Sequence, residues 1–450
     1  MLTFNFGDEV DRIYVNKSSE AIHVLNLGDG DDYVEVRALS GPLIINGDEG
    51  TDVVKVSTDE QMLDRINSLI AFDGGQDSAN DTLVLDDSGD YDLDDVVNVT
   101  RLFVEVASME IPEVSSPSNA STENPILPRE SYLIMLRNST GGSFNLTFTS
   151  INLTTPNIAY PTNASTIELA IRSVLIPEGS GKTCGKNGTS WCSDAAKVWQ
   201  LGQSDAYLIF FVGECLNSGI GLTLNTDGLD DFYSETFLNE TNDILAKNSD
   251  VAYTNVDELR IHMGHQDIVS NIRGTSASYT FIETQEGDDK FFVASDANEN
   301  GTGAPSTTVL YGLLDYIEGD LFIESKTGQH RLLMSDSFSD IPKGVGTNGF
   351  AVLSNSSLIN LGDNVGDIFY SSFGGNWSDD VTLWMGTSDD KINVVSIPSE
   401  PGPPSRTTTS VHCGRGRDVV HVNLAAEENV GGLFVANGQV RSGEGETSSV

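Results

Sequence analysis

A turn rich in Gly and Asp, followed by a short stretch of alternating apolar residues, recurs along this chain of 450 residues. The order is a Gly-rich turn, Asp, any residue, an apolar residue, any residue and usually Val. It occurs as GDEVDRIYV (7–15), GDGDDYVEV (28–36), GDEGTDVVKV (47–56), GDDKFFV (287–293), GDNVGDIFY (362–370), GTSDDKINV (386–394) and GRGRDVVHV (414–422). Asp11, Asp32 and Asp52 end the first three turns at spacings of 21 and 20 residues. A fixed period near twenty is typical of stacked coils, none of which can bury its apolar side alone.

The pattern predicts a mainly β chain. Alternation after each Asp gives a strand one inward and one outward face, and Gly provides the positive φ that a tight corner needs. We therefore predict a parallel β-solenoid, similar to a β-helix, with about 20 residues in each coil. Stacked corners would place their Asp side chains in a ladder.

A longer repeat overlies the coils. Residues 66–90 and 317–340 each follow two Gly-Asp turns and close on an Asp-Ser pair, so 1–90 and 257–340 are interpreted as two copies of one unit. A third copy begins near Asp380 and does not finish, so the chain is expected to be part of a longer array. The predicted domains are a solenoid unit over 1–110, a Pro/Ser/Asn-rich linker over 111–125, an inserted α+β module over 126–245, and solenoid units over 246–450, the last of them incomplete.

The inserted module lacks the Gly-Asp pattern. Strands are predicted over 131–136, 143–150, 197–201 and 205–212. A helix is predicted over 165–175, with Ser165 and Glu168 at the spacing of a capping box. Its predicted apolar face consists of Ile167, Ile171, Val174 and Leu175. An F-x-L-x-F strand (144–148), the segment IAY (158–160), the helix start NAS (163–165) and a strand ending over 210–213 resemble a small module repeated in giant surface and fibre proteins.

The turns themselves resemble another family. LGDGDDYVEV (27–36) and FDGGQDSANDTLVL (72–85) are similar to the repeats of haemolysin-type (RTX-like) β-solenoids of giant extracellular proteins, and this resemblance implies Ca²⁺ between successive turns. The nine-residue register of that family is missing, and His330 occupies the position that matches Asp81, although His is a poor ligand for a hard cation. Two interpretations stay open: calcium at some turns, or Asp residues that only stabilise corners through backbone hydrogen bonds.

If calcium is the cofactor, the carboxylates of the turns are its candidate ligands. Asp29, Asp31 and Asp32 form the best group, because three carboxylates with backbone carbonyls could supply six or more oxygens. The full set of candidate metal ligands is Asp29, Asp31, Asp32, Asp48, Asp52, Asp288, Asp289, Asp389 and Asp390.

Charge restricts the partners. The chain has 67 acidic and 24 basic residues and a formal net charge of −43, so nucleic acid and anionic membranes would be repelled. The longest apolar run, AYLIFFV (206–212), is far too short to span a bilayer, and no membrane span is predicted. The N-terminal residues do not resemble a signal peptide, so such a segment is expected to lie outside this sequence.

Sequons and cysteines favour an extracellular or cell-surface location. Thirteen of the 33 asparagines stand in N-x-S/T sequons, about twice the share that the Ser and Thr content would give. The predicted N-glycan sites are Asn16, Asn80, Asn98, Asn119, Asn138, Asn145, Asn152, Asn163, Asn187, Asn239, Asn300, Asn355 and Asn376. Four cysteines allow three pairings of disulfides. The short loop between Cys184 and Cys192 favours a disulfide between these two, and the pairing of Cys215 and Cys413 is left open.

The predicted function is structural rather than enzymatic: a repeat segment of a large secreted glycoprotein in an extracellular fibre, cell-surface appendage or matrix. Its partners are expected to be further copies, joined head to tail in a filament, because an open end coil offers unpaired strand edges. The first alternative is a calcium-dependent RTX-like adhesin that binds a partner surface or glycan. The second is a β-helix polysaccharide lyase, for which Arg331, Arg415 and Arg417 lie near corners but no acidic cluster accompanies a single base.

Overall fold

Most of the chain is described by the structure, a computed structural model. The described residues are 1–19, 21–76, 79–91, 96–99, 103–106, 131–136, 141–149, 152–175, 196–200, 206–211, 222–230, 251–297, 310–344, 349–362, 365–398, 407–424 and 432–437. Within them the chain is mainly β, with strands numbered here in chain order, and this part of the sequence prediction is confirmed.

Two long sheets contain most of the strands. The first sheet has, in spatial order, β1 (Leu2–Asn5), β3 (His23–Asn26), β5 (Leu43–Asn46), β7 (Ile70–Asp73), β18 (Val251–Thr254), β10 (Phe103–Val106), β9 (Val96–Val99), β20 (Val269–Ile272), β22 (Lys290–Val293), β24 (Gln329–Ser335), β28 (Asn376–Trp384), β30 (Thr408–His412) and β32 (Leu433–Asn437). The second sheet has β2 (Arg12–Val15), β4 (Tyr33–Val36), β6 (Val53–Val56), β8 (Thr82–Asp86), β19 (Glu258–His262), β21 (Tyr279–Glu283), β23 (Asp320–Ser325), β27 (Ile368–Ser372), β26 (Ser357–Ile359), β25 (Ala351–Leu353), β29 (Lys391–Val394) and β31 (Val419–Val422).

Pairing in both sheets is parallel, apart from the neighbours β10–β18, β9–β10, β25–β26 and β26–β27. The chain alternates between the sheets: β1, β3, β5 and β7 belong to the first, and β2, β4, β6 and β8 to the second.

The period-two pattern of the sequence explains the core. In β4, Val34 and Val36 are buried, and the residues between them are half-buried. Val34 pairs in register with Val54, which pairs with Leu83, so one apolar position lies beside the next from strand to strand. Residues from both sheets form one continuous hydrophobic cluster, which places the core between the sheets.

A smaller α+β region follows β10. It consists of β11 (Ser131–Met135), β12 (Gly141–Phe148), β13 (Leu153–Thr154), β14 (Ile158–Ala159), α1 (Ala164–Leu175), β15 (Ala196–Gln200), β16 (Ala206–Phe211) and β17 (Leu222–Asp230). The chain then rejoins the first sheet at β18, which pairs with β7 and with β10. Leu208 and Phe210 of β16 pack against Val24, Ile44 and Ala71 on the first sheet.

The helix begins differently from the prediction. Its cap is Asn163, whose Oδ1 accepts the Thr166 N–H at 2.9 Å, rather than Ser165. Glu168 does not close a capping box: its Oε1 lies 3.0 Å from Lys197 Nζ on β15. The predicted apolar face is correct, because Ile167 and Ile171 are buried in the core of this region.

No helix among the described residues is both long and apolar enough to cross a membrane.

Candidate functional site

The carboxylates of the Gly-Asp turns form a ladder from one turn to the next. Asp32 Oδ1 accepts the Asp11 N–H at 2.6 Å, and Asp52 Oδ1 accepts the Asp32 N–H at 3.0 Å. Asp81 Oδ1 continues the series by accepting the Asp52 N–H at 2.8 Å. Asp32, Asp52 and Asp81 are buried, and the bonds from the Asp32 and Asp52 N–H groups are buried with them, so these carboxylates satisfy backbone donors in the interior. Asp in such turns commonly bonds its own backbone two residues on; these carboxylates bond a neighbouring turn instead.

The same ladder explains His330. Asp289 Oδ1 accepts the Ile268 N–H at 3.1 Å, while the Asp289 N–H is directed at His330 Nδ1, 3.4 Å away. His330 Nε2 lies 3.3 Å from the Lys326 carbonyl oxygen, and Nδ1 also lies 3.2 Å from Asp289 Oδ2. His330 therefore does the structural work that Asp81 does in the first copy, with an acceptor nitrogen in place of a carboxylate oxygen.

A third section of the ladder contains a carboxylate with a strongly raised pKa, Asp390. Asp390 Oδ1 accepts the Lys343 N–H at 2.8 Å, and Asp418 Oδ1 accepts the Asp390 N–H at 3.0 Å. Burial, with smaller contributions from Asp418 and Asp336, raises the pKa of Asp390 to about 7. Burial also raises the pKa of the nearby Cys413 thiol to about 11, which keeps that thiol protonated and unreactive at neutral pH.

A second, exposed ladder runs along the same turns. Asp31 Oδ1 accepts the Thr51 N–H at 3.0 Å, and Asp288 Oδ1 accepts the Gln329 N–H at 2.8 Å. Asp389 accepts the Arg417 N–H at 2.8 Å and also contacts the Arg417 guanidinium at 3.1 Å. These hydrogen bonds lower the pKa of Asp389. The two remaining candidates, Asp29 and Asp48, are exposed on the turns.

Seven of the nine predicted metal ligands thus accept a backbone N–H from a residue 20 or more positions away in sequence. In the part of the chain that the structure describes, one group of His, Cys, Asp or Glu brings three ligand atoms within 4.8 Å of one another, and it contains none of the nine. Calcium at the corners stays a prediction.

The predicted glycan sites differ in accessibility. Asn16, Asn80, Asn152, Asn163 and Asn355 are exposed, and Asn98, Asn145 and Asn376 are half-buried. Asn119, Asn138, Asn187, Asn239 and Asn300 lie outside the described residues, as do Cys184, Cys192 and Cys215 and with them the predicted disulfide. Cys413 is buried and free of any disulfide.

An aromatic cleft that the sequence analysis missed lies beside the last coils. It has a volume of about 540 Å³, and its lining includes Tyr311, Phe338, Trp384, His412 and Arg415. Trp384 stacks on His412 with ring centroids 5.3 Å apart, and Tyr311 stacks on Phe338 at 5.6 Å. Burial lowers the pKa of His412 below its usual value, although Asp380 opposes the shift, so the imidazole is neutral at pH 7.

Aromatic faces beside an exposed guanidinium suit a ligand with one apolar face and several hydroxyl or anionic groups. The lining residues come from segments separated by tens of residues, and no local motif marks them. Strand pairing brings two of these residues together, because Trp384 and His412 are register partners in β28 and β30.

Comparisons with known proteins identified no relative: no protein-family profile, no curated protein and no solved structure matches the chain.

Proposed function

We propose that this chain is a structural repeat segment of a secreted glycoprotein, and that its two sheets are the faces of a β-solenoid rod in an extracellular fibre, appendage or matrix. The observation that carries the proposal is the corner ladder. Carboxylates that could have served catalysis or ligand binding, such as Asp32, Asp52 and Asp390, are used to join one coil to the next.

Side-chain ladders on the sheets support the same proposal. Asn26 Nδ2 donates to Asn5 Oδ1 at 2.6 Å, and Asn46 Nδ2 donates to Asn26 Oδ1 at 2.7 Å. Asn255 Nδ2 donates to Asp73 Oδ1 at 2.7 Å further along the first sheet. Identical contacts repeated from coil to coil stabilise an extended stack, because each coil is held by its neighbours.

The rod has a measurable length. Thirteen strands in the first sheet, at about 4.8 Å spacing, give a stack roughly 60 Å long. Small-angle X-ray scattering of the purified chain should give an elongated particle with a cross-section that stays constant along this length. A scattering profile of a compact sphere would contradict the solenoid.

The fibre itself is tested on native material. Negative-stain images should show filaments that incorporate this segment, and mass analysis should show N-glycans on exposed sites such as Asn16 and Asn355. Images of isolated particles only, or an unglycosylated mass, would overturn the extracellular fibre.

A second candidate function, an adhesin that binds glycans, is favoured by the aromatic cleft. Sugar rings present an apolar face to aromatic side chains and hydroxyl groups to charged ones, which matches Trp384 and Arg415.

The adhesin is tested by screening immobilised oligosaccharides and titrating the best binder. Trp384→Ala and Arg415→Ala should each weaken binding at least tenfold. Phe373→Ala should leave affinity within twofold, because Phe373 is 87% exposed and lies outside the cleft. Equal binding by the chain and both cleft variants would exclude the cleft as the glycan site.

A further inference from the structure

The Gly-rich turn between β30 and β31 has its charges reversed. An early turn reads GDGDD over 28–32, and this one reads GRGRD over 414–418. The glycines of both turns have positive φ, and the final Asp of each accepts a backbone N–H from the preceding turn. The two turns therefore correspond in backbone conformation, and Arg415 and Arg417 stand in place of two carboxylates.

The two arginines differ in their partners. The Arg417 guanidinium lies 3.1 Å from Asp389 Oδ2, and its backbone N–H donates to Oδ1 of the same carboxylate at 2.8 Å. Arg415 is exposed, and no carboxylate among the described residues forms an ion pair with it, although the chain has 67 acidic residues. The guanidinium of Arg415 is therefore available to a ligand.

Arg415 also lines the aromatic cleft, whereas Arg417 lies outside it. Among the lining residues that the structure describes there is no Asp or Glu, and Arg415 is the single Lys or Arg. Burial lowers the pKa of His412, so that imidazole adds no charge at pH 7. The cleft thus has a positive charge within a strongly acidic chain, which favours an anionic group at this place.

Two hydroxyl groups of the lining form hydrogen bonds within the protein. Thr387 Oγ1 donates to the Ser339 carbonyl oxygen at 3.2 Å. Ser337 Oγ accepts the Gly312 N–H at 3.3 Å and lies 3.1 Å from Ser335 Oγ. The guanidinium is the charged donor of the cleft, and its planar fork matches two oxygens of one carboxylate or sulfate group.

The aromatic rings provide the apolar part of the same site. Tyr311 is 51% exposed and stacks on Phe338, and Trp384 stacks on His412 in the adjacent strand. Such rings offer an apolar surface to the C–H face of a sugar. The cleft volume of about 540 Å³ lies within the range of about 300–1,000 Å³ that small-molecule sites occupy.

We infer that the cleft binds an acidic glycan, in which a sugar ring packs on the aromatic side chains and a carboxylate or sulfate group pairs with Arg415. The inference rests on the second proposed function, the adhesin, and adds the chemical class of its ligand. The acidic chain repels such a ligand at long range, but salt screens this repulsion beyond a Debye length of about 8 Å under physiological conditions. A contact ion pair inside the cleft is screened much less.

The experiment is calorimetric titration of the full chain with two matched series of hexasaccharides in about 0.15 M NaCl. The first series is chondroitin sulfate, its desulfated form, and the desulfated form with its carboxylates reduced to alcohols. The second is oligogalacturonate and its methyl ester. At least one charged form should bind ten times or more tightly than the neutral form of its series. Affinity that survives desulfation assigns the anion to the carboxylate, and affinity lost on desulfation assigns it to the sulfate.

Variants at the turn test the ion pair. Arg415→Gln should weaken binding of the charged form at least tenfold, because a charged hydrogen bond is lost, and should change binding of the neutral form less than twofold. Arg415→Lys should recover part of the loss, since it keeps the charge without the planar fork. Arg417→Gln is the matched control: it removes the same charge from the same turn outside the cleft and should change affinity less than twofold. All three variants should melt like the unchanged chain, because both arginines are exposed.

Three results would overturn the inference, and they separate it from the adhesin. Equal weakening by Arg415→Gln and Arg417→Gln would show diffuse attraction to a basic turn. Equal binding of charged and neutral forms, weakened by Trp384→Ala, would exclude an acidic ligand and leave the adhesin intact. Absence of binding by every form of both series would also end the inference, and the wider oligosaccharide screen would then decide whether a neutral glycan still supports the adhesin.

Discussion

Asp52 shows, at the scale of a residue, how one residue links three Gly-Asp turns. It accepts the Asp32 N–H through Oδ1 and donates its own N–H to Asp81. Its side chain is completely buried, so removal of the acceptor leaves the Asp32 N–H without a partner in the interior. We expect Asp52→Ala to lower the free energy of unfolding by about 2–3 kcal/mol, measured by urea denaturation.

Asp31, next to Asp32 on the same turn, is the matched control. Its carboxylate also accepts a backbone N–H, but it is exposed, and water can replace it. Asp31→Ala should cost less than about 1 kcal/mol. Equal losses for the two variants would show that burial of the corner carboxylate is unimportant.

Gly28 is the second residue on which a corner depends. Its φ is +92°, and a Cβ atom would lie 2.4 Å from the Gly7 carbonyl oxygen of the neighbouring coil. Gly28→Ala should therefore lower stability by more than about 2 kcal/mol, through both backbone strain and a clash between coils. Gly7→Ala, at the same place in the preceding turn, should be nearly neutral, because no atom lies within 4 Å of its added Cβ. Comparable thermal melts of the two variants would contradict the close stacking.

The sequence identified the corner Asp residues but not their partners. The repeat of Gly and Asp is local and can be read directly, whereas the donor to Asp81 is a backbone N–H 29 residues away. His330 was recognised as a poor cation ligand, yet its role as a hydrogen-bond acceptor depends on the position of Asp289. The convergence of Asp64 with Asp87 likewise joins residues that no local sequence pattern relates.

At the scale of elements, the outward face of the second sheet contains an aromatic stack. Phe281, Phe322 and Phe369 are register partners in β21, β23 and β27, with successive ring centroids 4.7 and 4.9 Å apart. The Arg260 guanidinium lies 4.2 Å from the Phe281 ring centre and covers one end of the stack. Identical positions in adjacent parallel strands thus hold three strands together by side chains as well as by the backbone.

Phe322 is the centre of this stack, so its removal breaks two ring contacts at once. We expect Phe322→Ala to cost about 2–4 kcal/mol in the free energy of unfolding, and Phe322→Leu to recover roughly half of that loss by restoring apolar area without stacking. Phe373→Ala should have little effect, because that ring is 87% exposed. Full recovery by Phe322→Leu would show that area, and not ring geometry, stabilises the face.

Elements with a strong local period were predicted well, and contacts between elements were not. The helix over Ala164–Leu175 and the strands of the α+β region follow from their apolar spacing. The contact of Leu208 with Ile44 and the aromatic cleft join segments far apart in sequence, for which one chain contains no periodic signal.

At the scale of the whole molecule, a net charge of −43 has to be reconciled with buried carboxylates. The fold stabilises these groups in two ways: by backbone donors, as at Asp32, and by an internal ammonium, as at Asp336. At some sites these interactions do not fully offset the cost of burying a charged carboxylate. Burial raises the pKa of Asp336 to about 6, with Lys343 opposing the shift, and that of Asp390 to about 7.

These two raised pKa values determine how stability depends on pH. A carboxylate whose pKa is higher in the folded chain than its usual 3.8 binds a proton more tightly in that state, so ionisation at higher pH works against folding. Stability should therefore increase as the pH falls from 8 through 7 and 6 towards 5, and decrease again as the pH rises through the same range. The lowered pKa of Asp389 and the raised pKa of Lys343 act below about pH 4 and above about pH 10, outside this window. The lowered pKa of His412 acts inside the window and in the opposite direction, because the unfolded chain binds that proton more tightly, but one imidazole offsets only part of the effect of two strongly shifted carboxylates.

Asp390→Asn should flatten this profile, because the amide oxygen still accepts the Lys343 N–H and the titrating group is gone. At pH 8 the variant should be more stable than the unchanged chain, on the order of 2–4 kcal/mol for a shift of this size. Asp389→Asn, one residue away and exposed, should keep the full slope. The measurement is the melting temperature from pH 5 to 8 in chelator at constant ionic strength. A profile that rises with pH, or an equal slope in Asp390→Asn and the unchanged chain, would contradict a buried, proton-binding Asp390 as the origin of the pH dependence.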